Sequence, residues 1–390
     1  MSEPRGSALI YILPGVDPAT IFTGRTLLER AFALAEAAGL EPLVVDAAGP
    51  GAVGRDGPRL GARPGDPLPL AAGTVVLLRC DVACVAGALR DLVAADHPQA
   101  VHDDAGRLAL VRTTVAMLGG AIPPDLAVPA DAAVASRAGW LGRRRILALD
   151  FANAGRPAHE TAARRERVEA DLLAALENPR DGSVDRVLNR HLSRPLSQVL
   201  MPFAVTPNQI TVFALLLALV GAGCIALPGV AWPVFGALLL QLTAILDCVD
   251  GEIARAKVLE TELGEWLDIT ADTLIHVATF LGIAVHAWPT LGGDTAWLLG
   301  GLFTFGGFAS FLVVTRAERT EQIWLASGTG EARLLAGLLS TLTTRDTSVL
   351  VLAAAAADLL TPLLIGAAFG AQVFWVGTLV LHTRALRRAA

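Results

Sequence analysis

The sequence predicts an N-terminal α/β domain followed by an all-α membrane domain with six transmembrane helices. Three observations carry that prediction. The 390 residues are 53% hydrophobic with a mean hydropathy of +0.54, which suits a membrane protein that carries a soluble part. Up to about Asp181 the apolar runs are short, whereas after Asn208 they lengthen to about twenty residues, enough to cross ~30 Å of hydrocarbon. The cations also segregate, as argued below, to one set of connections between those long runs.

Taken in order, Ala8–Leu13, Pro42–Asp46 and Val75–Asp81 are strand-like runs, separated by helical patterns at Leu27–Ala38 and Ala86–Ala95. That alternation predicts a parallel α/β sheet. The start, Met1–Gly6, leads into a strand-like run without an apolar signal region, so no signal peptide is expected. Cys80, Cys84, Cys224 and Cys248 lack zinc-type pairing, and reduced packing thiols are expected. Three parts follow: a soluble domain over 1–180, an amphipathic juxtamembrane helix over 181–206 and a membrane domain over 207–390. In the middle part Val184, Val187, Leu188, Leu192 and Leu196 recur at helical spacing, with Arg186, Arg190 and Arg194 on other faces.

Six spans are expected at 208–227, 232–256, 264–288, 295–316, 345–364 and 366–386, the last two divided near Gly366 or Gly370. Arg186, Arg190 and Arg194 precede the first span; Arg255 and Lys257 follow the second. Arg316, Arg319, Arg333 and Arg345 lie between the fourth and fifth, and Arg384, Arg387 and Arg388 close the chain. The opposite connections, Pro228–Ala231 and Ala287–Ala296, carry no Lys or Arg. Both termini are therefore expected to be cytoplasmic, in an inner or plasma membrane.

The chemistry is concentrated between Asp247 and Asp272. Asp247, Asp250 and Ala254 share one helical stripe, and Gly264, Asp268 and Asp272 share another. Antiparallel helices would aim four carboxylates into one gap, where uncompensated charge is costly. Hard divalent cations are the natural neutralisers, so two Mg2+ or Mn2+ ions are expected, held by Asp247, Asp250, Asp268 and Asp272. Gly251 and Gly264 permit close approach of a ligand or helix. Arg255 and Lys257 add cations beside phosphate, and Arg316 and Arg345 are candidates for gripping a phosphorylated acceptor. Residue chemistry alone also leaves room for a solvated acidic loop, a structural ion site, a divalent-cation transporter or a nucleotide-sensing scaffold.

The arrangement D-x2-D-G-x2-A-R-x8-G-x3-D-x3-D, from Asp247 to Asp272, resembles the signature of the CDP-alcohol phosphotransferases. The Pro207-Asn208-x-x-Thr211 string resembles the start of their first span. The resemblance implies transfer of a phosphoalcohol group from a CDP-linked donor, CDP-diacylglycerol or a soluble CDP-alcohol, to an alcohol or polyol-phosphate acceptor such as inositol phosphate, with release of CMP. It implies CDP contacts from Asn208, Thr211, Asp247, Gly251, Ala254, Arg255 and Gly264, and Asp272 as general base. Acceptor contacts fall to Lys257, Arg316 and Arg345. A homodimer embedded in a lipid bilayer, without a nucleic-acid partner, completes the expectation.

Phe22–Phe32 and Val75–Asp81 resemble sugar-phosphate nucleotidyltransferases, in which the acid matching Asp81 binds metal. The whole layout resembles bifunctional inositol-phosphate cytidylyltransferase and di-inositol-phosphate-phosphate synthase proteins, whose soluble domain makes the CDP-alcohol. The first loop, Leu13–Thr20, has few glycines and no cation to cradle a triphosphate. A degenerate nucleotidyltransferase-like domain is therefore expected, with a bifunctional enzyme as the alternative.

Overall fold

The computed structural model describes residues 6–12, 21–23, 25–46, 60–62, 66, 68, 74–95, 98–103, 107–114, 116–118, 122–123, 133–134, 140–141, 144–149, 158–176, 188–320, 330, 334 and 347–389. The Leu13–Thr20 loop, residues 181–187, Arg333 and Arg345 lie outside them. The chain divides into two units: Met1–Glu177 with Arg194–Thr206 and Gly251–Glu260, and Asn178–Ser193 with Pro207–Asp250 and Thr261–Ala390.

The first unit is built on a seven-stranded sheet. Its strands are β1 (Gly6–Ile12), β2 (Leu40–Asp46), β3 (Leu60–Ala62), β4 (Thr74–Arg79), β5 (Gln99–His102), β6 (Leu108–Thr114) and β7 (Ala133–Val134), in the order β7-β5-β6-β4-β1-β2-β3. The expected parallel sheet is corrected here. Strands β4, β1, β2 and β3 are parallel, but β6 runs antiparallel to both β4 and β5. Side chains alternate between faces with period two. Ala8, Ile10 and Ile12 join Val76, Leu78 and Cys80 in one core cluster, while Leu9, Tyr11, Val75 and Leu77 join another. Continuous apolar sequence in β1 and β4 therefore reflects burial on both faces.

Helices α1 (Leu27–Ala37) and α2 (Ala86–Val93) contribute Leu34 and Leu89 to the first of those clusters. Thr26 starts α1 through a reciprocal cap. Its Oγ1 accepts from Glu29 N at 3.2 Å, and Glu29 Oε2 accepts from Thr26 N at 2.9 Å. Those hydrogen bonds, the backbone one foremost, hold the Glu29 carboxyl below its ordinary value. Helix α3 (Ala158–Ala175) adds Leu172 and Leu173 to a cluster with Phe22, Leu27, Met201 and Ala256.

Helix α4 (Arg190–Leu200) buries Arg190, Ser193 and Ser197, whereas Leu192 and Val199 are exposed. After Thr206 come α5 (Pro207–Ile225), α6 (Ala231–Ala256), α7 (Glu262–Leu291), α8 (Gly293–Arg319), α9 (Thr347–Ala356) and α10 (Leu360–Ala389).

Among the described residues, five of these helices are long and apolar enough to cross a membrane: α5, α6, α7, α8 and α10. The expected fifth and sixth spans come out differently. Helix α9 has 10 residues, about 15 Å at 1.5 Å per residue, which is half of a hydrocarbon core. The chain breaks at Asp358, whose φ is 57°, and Leu359 N closes on Ala354 O at 2.7 Å. Gly366 and Gly370, the expected division, lie inside α10. Leu240 of α6, Phe280 and Ile283 of α7 and Leu364 of α10 meet in the core of the second unit.

Candidate functional site

The last three turns of α6 and the first three of α7 present the acidic residues. Helix α6 ends in a Schellman turn, with Val258 N on Arg255 O at 3.4 Å and Leu259 N on Ala254 O at 2.7 Å. Val258 occupies the left-handed position at φ 54°, where glycine is the usual occupant. Thr261 then caps α7, its Oγ1 accepting from Gly264 N at 3.0 Å. Glu262 and Glu265 fall in the first turn, where the positive end of the helix dipole favours them.

This turn brings Asp247, Asp250 and Asp268 together. One carboxylate oxygen from each lies within 4.8 Å of the others. Asp250 is buried and accepts a 2.6 Å hydrogen bond from Thr211 Oγ1, which also donates to Pro207 O at 3.2 Å. Asn208, one helical turn earlier on α5, approaches α7: its Oδ1 would be 3.1 Å from a Cβ placed on Gly264. Any side chain at Gly264 would therefore press on Asn208. The start of α5 thus touches both acid-bearing helices. Three carboxylate oxygen donors at this spacing are a donor set for a hard divalent cation, and the residues present fit such an ion.

Asp272 stands one turn beyond Asp268 and is not one of the three mutually close carboxylates. It lines, together with Asp247, a cleft of about 550 Å³ including its open mouth, whose wall also holds Thr243, His276, Thr279 and Ser348. His276 Nδ1 lies 2.8 Å from the Asp272 carbonyl oxygen; a carbonyl only accepts, so Nδ1 carries a proton in this contact. Gln241 links this wall to Asn189, the residue before α4, donating to its Oδ1 at 2.7 Å and accepting from Ser348 Oγ at 2.9 Å. The sequence reading passed over these residues. The spacing of four between Asp272 and His276, which puts both on one helix face, was the available signal.

Other expected contacts divide. Gly251 faces the guanidinium of Arg255, whose nitrogens would lie 3.1 and 3.2 Å from a Cβ at that position, so the glycine lets Arg255 fold along α6. Ala254 is half-buried and gives its carbonyl to the Schellman turn. Lys257 corrects the sequence reading. Its side chain is 4% exposed, and Nζ donates to the carbonyl oxygens of Phe203 at 2.6 Å and Val205 at 3.4 Å. Such a group ties down the 202–206 connection and is not presented to an acceptor. Arg316 is exposed at the end of α8, where its carbonyl accepts from Thr320 Oγ1 at 3.1 Å.

In the first unit, Asp81 is 2% exposed and clamped by Arg79: Nε donates to Oδ1 at 2.8 Å and Nη2 to Oδ2 at 2.5 Å. Arg79 and Arg107 also reach Asp103 Oδ2, at 3.3 and 3.2 Å. Among the described residues this carboxylate pair sits in an ion network, and the first unit contributes no acidic cluster of metal-binding spacing.

Residues 204–382 match the family described as CDP-alcohol phosphatidyltransferase. The chain is 36% identical over 119 residues to a protein of Aquifex aeolicus named bifunctional IPC transferase and DIPP synthase, a match covering 30% of this chain and 27% of that one. A protein of the same name from Rubrobacter xylanophilus is 27% identical over 240 residues, 55% of this chain and 52% of the relative. An archaetidylinositol phosphate synthase of Pyrococcus horikoshii is 29% identical over 143 residues, 36% of this chain and 71% of the relative. The chain thus spans about a quarter of the first of these relatives and half of the second.

Proposed function

We propose, from the match of residues 204–382 to the CDP-alcohol phosphatidyltransferase family, that the chain transfers a phosphoalcohol group from a CDP-linked donor to an alcohol acceptor and releases CMP. The observation that carries this reading is the convergence of Asp247, Asp250 and Asp268 within 4.8 Å, beside Thr211. Two Mg2+ or Mn2+ ions bound to these carboxylates would offset charge on the pyrophosphate and on the leaving CMP. Thr211 fixes the Asp250 carboxylate, and Asn208 with Gly264 shapes the wall against which cytidine packs. Arg255 is the cation for the donor phosphates. Asp272, in the cleft wall, accepts the proton of the acceptor hydroxyl as it attacks the β-phosphorus, and the P–O bond to CMP breaks.

The names of the relatives point to an inositol phosphate acceptor, with Arg316 the described cation suited to its phosphate. Residues 1–180 form a soluble domain of nucleotidyltransferase ancestry, and α4 lies at the membrane interface. The membrane part of 207–390 works as a dimer in an inner or plasma membrane, with termini and aspartates on the cytoplasmic side. Helix α9 is the sixth membrane element. The ion pairs that occupy Asp81 favour a first domain that no longer makes the CDP-alcohol.

Purified full-length protein incubated with Mn2+ or Mg2+, CDP-diacylglycerol or CDP-inositol, and a panel of polyols and polyol phosphates tests the reading. CMP should appear in step with one condensed product, requiring both a CDP donor and an acceptor. Failure of every pair to give CMP would remove it.

A further inference from the structure

We propose that Arg30 of the soluble domain is a positioning residue for the acidic helix, holding the end of α6 so that Asp247 and Asp250 keep the geometry that binds divalent ions. The proposal rests on the reading of those aspartates given above. Arg30 lies on α1 in the Phe22–Phe32 stretch and is 1% exposed. An arginine is seldom buried so completely without a dedicated set of acceptors. Here Nη1 donates to Thr23 Oγ1 at 3.2 Å and to the carbonyl oxygen of Ala256, Nη2 donates to Cys84 O at 3.0 Å, and the guanidinium lies 5.4 Å from the Phe22 ring centre.

Ala256 is the last residue of α6, and its carbonyl is among those that a helix C-terminus leaves without a partner inside the helix. The Schellman turn takes the carbonyls of Ala254 and Arg255, and Arg30 takes the next. A cation at this end also opposes the negative end of the helix dipole. Burial brings the Arg30 pKa down to about 10, so the group stays charged at neutral pH.

Two further contacts secure the same turn. Val258 accepts a left-handed backbone that a β-branched residue resists, and its side chain is buried in the cluster of Ile10, Leu34 and Leu89. Glu252, fully buried one turn before Ala256, accepts from Ser197 Oγ at 2.5 Å. Asp250 precedes Ala256 by six residues on the same helix, about 9 Å at 1.5 Å per residue. A rotation or fraying of the last turn therefore reaches the carboxylates along a rigid rod. On this account the soluble domain acts on the membrane reaction by holding α6, whether or not it has chemistry of its own.

Full-length wild type, Arg30→Met and Arg30→Lys would be titrated with Mn2+ and followed by electron paramagnetic resonance, with hydrogen exchange read at the amides of Lys257 and Leu259. Arg30→Met is expected to weaken Mn2+ binding roughly tenfold, the scale of an outer-shell loss, and to speed exchange at both amides. Arg30→Lys keeps the charge but cannot span three acceptors, so it should fall between the two. Wild-type Mn2+ affinity in a folded Arg30→Met overturns the proposal. If that variant fails to fold, unchanged affinity in Arg30→Lys does the same, as does fast exchange at Leu259 in the wild type. A wild type that binds Mn2+ tightly yet releases no CMP from any donor refutes the transfer reading, while the Mn2+ and exchange data still decide the role of Arg30.

Discussion

Asp272 lines the cleft without belonging to the cluster in which Asp247, Asp250 and Asp268 come within 4.8 Å of one another. Removing its charge should therefore spare the donor. Asp272→Asn is expected to lower kcat by at least about a hundredfold, the range for losing a general base, while donor affinity stays within a few-fold. Equilibrium binding of a CDP-alcohol beside single-turnover CMP release separates these effects. A second residue, Glu169, has a pH signature. Burial raises its carboxyl above the ordinary 4.5, against the opposing pull of Arg165 and other partners including Lys257. The folded state then holds that proton more tightly than the unfolded state, so its contribution is full below 4.5 and is lost as pH rises through the raised value. Melting midpoints of wild type should fall across that window relative to Glu169→Gln, whose difference from wild type should be flat below it.

At the level of elements, the acid-bearing pair of helices was legible because two rules coincide there. Stripes at 3.6-residue spacing put the acids on facing sides, and the cations Arg255 and Lys257 mark where the first of the two apolar runs ends. The end of the chain was misread for an equally physical reason. Glycine in an apolar run looks like a break, yet glycine is common inside membrane helices, and α10 passes through both Gly366 and Gly370. The real break lies at Asp358, the sole acid between Thr347 and Ala389, a residue that tolerates the left-handed region. The reversed strand β6 was equally hidden, since an inner strand buried on both faces gives no sign of its direction. Helix contact adds a test. A Cβ at Gly282 of α7 would lie 2.5 Å from Ala222 O of α5, so Gly282→Leu should cost about 1–3 kcal/mol through overpacking. A lower melting midpoint in detergent would register it, and an unchanged midpoint would mean that the two helices are free to separate.

For the molecule as a whole, the question is whether two activities remain or one. The carboxylate that a metal-dependent nucleotidyltransferase would need just after β4 is held on both oxygens by Arg79, and freeing it would take two hydrogen bonds from a buried guanidinium. Full-length protein given CTP, Mg2+ and candidate phosphoalcohols should therefore release no pyrophosphate, whereas robust release would restore a bifunctional enzyme. The membrane reaction meets its most direct test at Asp268, which contributes one of the three converging carboxylates and can lose its charge without a change of volume. CMP release is measured for wild type and Asp268→Asn across a Mn2+ titration, with a CDP donor and acceptor that wild type accepts. The account predicts metal-dependent release by wild type and less than a tenth of that rate for the variant at every Mn2+ concentration. A variant as active as wild type, or release by wild type that persists in excess chelator, would contradict it.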